Sequence, residues 1–163
     1  MLSVSLNTYY QAVEKTTFYL LERFMPLFHL AFPVTHLDDS ITFYTRFFDC
    51  TMGRRSERWV DFNFFGHQLS LHLRDTDSSE PQHTTPVDGD IIRVPHFGVI
   101  LKQVQWQRLH QALHDAEVTF LLEPKIRFKD QAGEQGTFFI KDPSGNTLEF
   151  KYFNRSEDIF ATD

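Results

Sequence analysis

The sequence predicts an α+β fold made of two tandem βαβββ modules behind an N-terminal helix, and three observations predict it. First, an apolar strand carrying a single histidine occurs twice, as LFHLAFPV over 27–34 and as VPHFGVIL over 94–101. Second, each copy is followed by an amphipathic helix and then by three short strand patterns. Third, a chain of 163 residues with 41% apolar residues, 18 Phe and only 7 Gly and 7 Pro has enough apolar material for a packed interior. Repetition of a unit this size sets the fold, so it governs the reading of every element.

The elements follow in order. Over 1–25, Tyr10, Val13, Thr17, Leu20, Leu21 and Phe24 recur at helical spacing between charged residues, which predicts an amphipathic helical extension; Met25 could itself serve as a start. Module one is expected over 26–75. Its first strand is followed by Asp38-Asp39-Ser40, acids suited to the positive end of a helix dipole. The helix runs to about Cys50, with strands near 51–55, 58–64 and 67–74. The stretch 76–93 is rich in Asp, Ser, Thr and Pro and reads as a linker loop. Module two is expected over 94–155, with a helix from Val104 to Ala116 and strands at 118–122, 136–141 and 146–153. The last two are joined by the turn Asp142-Pro143-Ser144-Gly145. Residues 156–163 read as a tail.

Composition narrows the function. A formal charge of −6 argues against a nucleic-acid partner, since phosphate binding wants a basic face. Phosphate-cradling glycine loops are absent. The one cysteine, Cys50, excludes an internal disulfide and reads as a small buried hydrophobe. No run approaches the ~18 apolar residues of a membrane span, and the first 25 residues do not read as a signal peptide. The expectation is a cytoplasmic protein with a small-molecule substrate and no membrane or nucleic-acid partner.

Strand alternation selects the candidate site. In the first strand Phe28, Leu30, Phe32 and Val34 take the helix side, leaving His29 with Ala31 and Pro33 on the other. In the second copy Phe97, Val99 and Leu101 take the helix side, leaving His96 with Gly98 and Ile100. On 146–153, Leu148, Phe150 and Tyr152 share one face, and Thr147, Glu149 and Lys151 the other. On 67–74 the polar face holds Gln68, Ser70 and His72. Singly, each histidine reads as a hydrogen-bonded core residue and Glu149 as a solvated one. Together, two histidines at equivalent places in two repeats plus one carboxylate form the ligand set typical of non-haem Fe(II), which also suits Mn(II), Zn(II) or Ni(II). His29, His96 and Glu149 are therefore the expected metal ligands. His36, His83, His110 and His114 fall on loops or helix surfaces and carry no expected role.

The paired modules, the histidine on each first strand and the closing GTFFIKDPSGNTLEF resemble the vicinal oxygen chelate superfamily. It comprises glyoxalase I, bleomycin-resistance proteins, fosfomycin-resistance enzymes and extradiol dioxygenases. Through FHLAFPV, FFGHQ, VPHFGV and DPSGNTLEFK the chain looks most similar to bacterial proteins grouped with catechol 2,3-dioxygenase-like enzymes. The resemblance covers about 26–155. It implies a curved sheet from each module, the two forming a cup around a divalent metal, and commonly a homodimer. It also implies four ligand positions, here His29, Ser70, His96 and Glu149. Serine is a poor ligand, so the resemblance points away from glyoxalase I and toward an extradiol-type dioxygenase. Phe139, however, stands where the dioxygenases have a tyrosine, and no histidine precedes it in 130–136. His72 is then the candidate acid–base group, with Gln68, Ser70 and Lys151 against the substrate; Arg127 and Lys129 read as loop charges. A lyase or isomerase, or a non-catalytic drug-binding protein, are the alternatives.

Overall fold

Side-chain alternation makes each repeat one-sided, and the structure shows what each side meets. The computed structural model describes residues 26–48, 50–75, 83–87 and 89–161. The helix expected over 1–25 lies outside them. In the first repeat β1 (His29–Val34) leads through α1 (Leu37–Phe47) to β2 (Thr51–Arg55), β3 (Trp59–Phe64) and β4 (His67–Leu73). These form a sheet in the order β1-β4-β3-β2, with β1 parallel to β4 and the other pairs antiparallel.

A two-stranded hairpin intervenes, β5 (His83–Val87) and β6 (Asp90–Val94). It corrects the loop expected over 76–93 from residue 83 onward; residues 76–82 lie outside the described residues. Asp, Thr and Pro report an exposed segment, but backbone pairing from His83↔Val94 to Val87↔Asp90 decides the strands, and Gly89 takes the left-handed backbone (φ 80) that the turn requires. The second repeat then adds β7 (Phe97–Ile100), α2 (Gln103–Asp115), β8 (Phe120–Arg127), β9 (Gln135–Lys141) and β10 (Thr147–Phe153). Its sheet order, β7-β10-β9-β8, copies the first. β8 reaches further than the strand expected at 118–122, and a short 3-10 helix, Ser156–Phe160, occupies most of the expected tail.

The two sheets turn their helix-bearing faces toward one another. Phe97 of β7 lies 4.7 Å from the ring of Phe32 and 6.2 Å from that of Phe64, although β3 and β7 sit in different sheets. Phe48, at the end of α1, bridges Phe64 (5.8 Å) and Phe150 (5.1 Å). One apolar core results, in which Tyr44, Val60, Leu71, Leu113, Phe138 and Phe150 are fully buried. Its polar atoms are paired: the Trp106 indole N–H donates to the Phe150 carbonyl at 2.8 Å, and the Tyr44 hydroxyl donates to Asp142 at 3.2 Å. Across the module seam Asn146 donates to the Pro33 carbonyl and the Thr35 amide to Ser144. With the helix sides facing inward, the polar faces of the two sheets look away from one another. That decides where the candidate residues go.

Candidate metal centre

On sheet two, pairing sets the polar face in rows. Gly98, Glu149 and Phe139 lie in register, and Ile100, Lys151 and Thr137 form the next row. Gly98 is required here: a Cβ would run into the backbone carbonyl of Glu149. Close strand approach thus demands the smallest residue at this position.

His96, just before β7, holds its Nε2 3.2 Å from Glu149 Oε2. Its Nδ1 lies 2.6 Å from the Arg93 carbonyl, which can only accept, so Nδ1 carries the proton. Thr137 donates to the other Glu149 oxygen at 2.8 Å, and Lys151 Nζ stands 3.0 Å from Oε2. Glu149 is buried, 6% exposed. Burial pushes its carboxyl up, but the His96 hydrogen bond, Lys151 and Thr137 outweigh that and hold it below the usual range. The Glu149 hydrogen bond in turn holds the His96 imidazole above its usual value, against burial.

This chemistry fits a divalent cation. With Nδ1 committed to Arg93, a neutral His96 would aim the Nε2 lone pair at a carboxylate oxygen. Only a proton or a cation between them makes that contact favourable. The carbonyl behind the imidazole and the hydroxyl behind the carboxylate are the supports that metal ligands receive. Lys151 is the cation already placed on the same oxygen.

The third expected ligand is elsewhere. His29 sits exposed on the polar face of sheet one, in register with Gln68 and Asn63. Among the described residues no three His, Cys, Asp or Glu side chains group as a metal site. The remaining expected residues share the face of His29. Ser70 pairs with Ala31 and Asp61 in the next row, and His72 lies exposed in the row after, with Trp59 and Pro33. The Ser70 hydroxyl donates to Asp61 at 2.6 Å. Asp61, only 8% exposed, is a residue the sequence reading passed over. Alternation could have found it, since Val60, Phe62 and Phe64 claim the helix side of β3. The expectation of solvated loop charges is corrected for Arg127: it lies on β8, is 2% exposed, and donates to Asp90 at 2.8 Å and to the Val87 carbonyl. Lys125 donates to the same carboxylate. These bonds anchor the hairpin against sheet two, where Thr137, Phe139 and Glu149 are buried.

The family model described as the Glyoxalase/Bleomycin resistance protein/Dioxygenase superfamily matches residues 27–150. The chain belongs to this superfamily. A glyoxalase/bleomycin resistance protein/dioxygenase from Alicyclobacillus acidocaldarius is 31% identical, covering 83% of this chain and 96% of its own, with a TM-score of 0.67. The fold is shared at lower identity with the fosfomycin resistance protein FosX from Listeria monocytogenes (13% identity, 82% and 97% covered, TM-score 0.61). It is shared too with a lactoylglutathione lyase from Agrobacterium tumefaciens (16% identity, 84% and 97% covered, TM-score 0.58). Superfamily members typically use a divalent metal and bind small molecules. No described helix is long and apolar enough to cross a membrane.

Proposed function

We propose that this protein is a metal-dependent enzyme that binds two neighbouring oxygens of a small substrate, and that its working unit is a homodimer. His96 and Glu149 of one chain would hold the ion together with His29 of a second copy. The observation that carries the reading is the His96–Glu149 contact, backed by Arg93 on one side and Thr137 on the other. The second copy is needed because the polar faces of the two sheets point apart within one chain. Those faces carry exposed apolar residues at their edges, Leu27 (71%) and Ile100 (47%), which an isologous pairing would bury.

Bound there, the ion, with Fe(II) first and Mn(II), Zn(II) or Ni(II) as alternatives, would supply Lewis-acid polarisation and a template for the substrate oxygens. The chain's residues then decide the reaction. The hydroxyl that a tyrosine would offer is missing, because Phe139 lies edge-on to His96 with ring centres 5.2 Å apart. With Glu149 on the ion and both Asp61 oxygens engaged by Ser70 and Arg54, His72, exposed on the polar face of sheet one, is the side chain placed to take up a proton. That inventory supports proton removal next to a carbonyl, a lyase or isomerase reaction. Ring-opening dioxygenation is the second reading, favoured by the His/His/Glu donor set.

The decisive experiment is metal analysis of tag-free protein loaded anaerobically with Fe(II) or Mn(II). Stoichiometric metal, lost in His96→Ala and Glu149→Ala, is the expected outcome; protein that stays metal-free after loading would overturn the reading. Oxygen uptake with a catechol panel, set against solvent-deuterium exchange with 2-hydroxy carbonyl compounds, separates the two reactions.

A further inference from the structure

The polar face of sheet one holds a second built arrangement, on its edge strand. β2 and β3 change register between Met52 and Arg55: Met52 pairs with Phe62, but Arg55 pairs with Val60. Gly53 and Arg54 therefore stand together against the single residue Asp61. A bulge of this kind re-aims a side chain, and here it turns Arg54 onto the face of His29 rather than toward the core.

Two neighbours fix Arg54 there. Its guanidinium donates to Asp61 Oδ2 at 3.1 Å and lies 5.7 Å from the ring centre of Trp59, which shares that face. Asp61 is itself tied down, its other oxygen accepting from Ser70 at 2.6 Å. That hydrogen bond, against some opposition from burial and aided by Arg54, holds the Asp61 carboxyl below its usual range. Yet the Arg54 side chain is 81% exposed. An arginine has five N–H donors in a planar fork, and Asp61 engages one edge. The remaining donors face solvent above the sheet. Strands lie about 4.8 Å apart, so the guanidinium, leaning over β3, stands two strands and roughly 10 Å from the β1 row that carries His29.

We propose that Arg54 is the specificity-determining residue for an anionic oxygen group of the substrate, a carboxylate, phosphate or phosphonate. Asp61 is its positioning residue and Trp59 its wall. The inference rests on the reading of the polar faces as the substrate side. It implies a substrate whose anionic group is separated by several bonds from the two oxygens placed at the metal. Planar bidentate recognition explains why the position uses arginine.

The test titrates metal-free protein with inorganic phosphate and, separately, with acetate, and follows binding by calorimetry at two salt concentrations. Metal content is measured independently, so failure of the metal reading leaves this result intact. The wild-type chain should bind one of the two anions saturably, more weakly at the higher salt. Arg54→Ala should weaken binding roughly tenfold, and Arg54→Lys less, because the fork but not the charge is lost. Asp61→Asn should weaken it several-fold while the protein stays folded, since the amide oxygen can still accept from Ser70 or Arg54. Arg58→Ala, which removes a charge of the same sign paired with Asp75 outside this cluster, should leave it unchanged. Absence of saturable binding of either anion would overturn the proposal. So would Arg54→Ala staying within about twofold of wild type, or Arg58→Ala costing as much.

Discussion

Two side chains at His96 and Glu149 hold opposite protonation preferences. The imidazole is held above 6.5 by its carboxylate partner, and the carboxylate below 4.5 by three donors that outweigh its burial. The stability from His96 is fully present below the unfolded imidazole value and disappears as pH rises through its raised folded value. That from Glu149 is present above the unfolded carboxylate value and disappears as pH falls through its depressed one. Metal-free protein should therefore lose Tm as pH climbs above 6.5. A bound ion must displace the His96 proton, so metal affinity should rise with pH there, with a slope of about one proton per ion. Isothermal titration at several pH values checks this, and in metal-free His96→Ala the fall of Tm above pH 6.5 should disappear. Gly98→Ala tests the strand contact behind the pair. Its methyl meets the Glu149 carbonyl, so β7 and β10 must separate, at a cost of roughly 1–3 kcal/mol. Chemical denaturation should show that loss together with weaker metal binding.

Among the elements, the β5–β6 hairpin is the one whose role comes from contacts far along the chain. Asp90 receives Lys125 and Arg127, both at 2.8 Å, and Arg127 is buried. Asp90→Asn would leave that guanidinium underpaired, a costly state for a buried charge, on the order of 3–5 kcal/mol when a pair is broken. Hydrogen exchange should then quicken across His83–Val94 and in β8 before it changes in sheet one. The aromatic cluster beneath sheet two behaves differently. Phe138 is fully buried, and its ring lies 5.2 Å from that of Trp106 and 5.4 Å from that of Phe150. Phe138→Ala should cost about 3–5 kcal/mol by cavity formation and lower the global Tm. A local opening without global loss would show that this cluster is not part of the shared core.

For the whole molecule, the test is complementation. His29→Ala and His96→Ala chains each lack a full ligand set. Mixed and allowed to exchange, they should regain about a quarter of the wild-type metal sites if His29 acts across a twofold pair, and none if it acts within one chain. Ile100→Lys, on the face that the pair would bury, should give a monomer that binds metal weakly, checked by light scattering.

The repeat, the strand alternation and the placing of His29, His96 and Glu149 on polar faces were legible in the sequence, because period-two patterning and internal duplication are local properties. Asp61 was equally legible by alternation and was passed over because its strand shows no motif. Arg54 was not legible: a bulge changes the parity of β2, and only pairing with β3 reveals it. The hairpin, the burial of Arg127 and the separation of His29 from His96 were also beyond the sequence. Each depends on which face of one sheet meets which face of another. Alternation fixes two sides for every strand, but it is the packing of Phe32, Phe48, Phe64, Phe97 and Phe150 into one core that turns the polar sides outward.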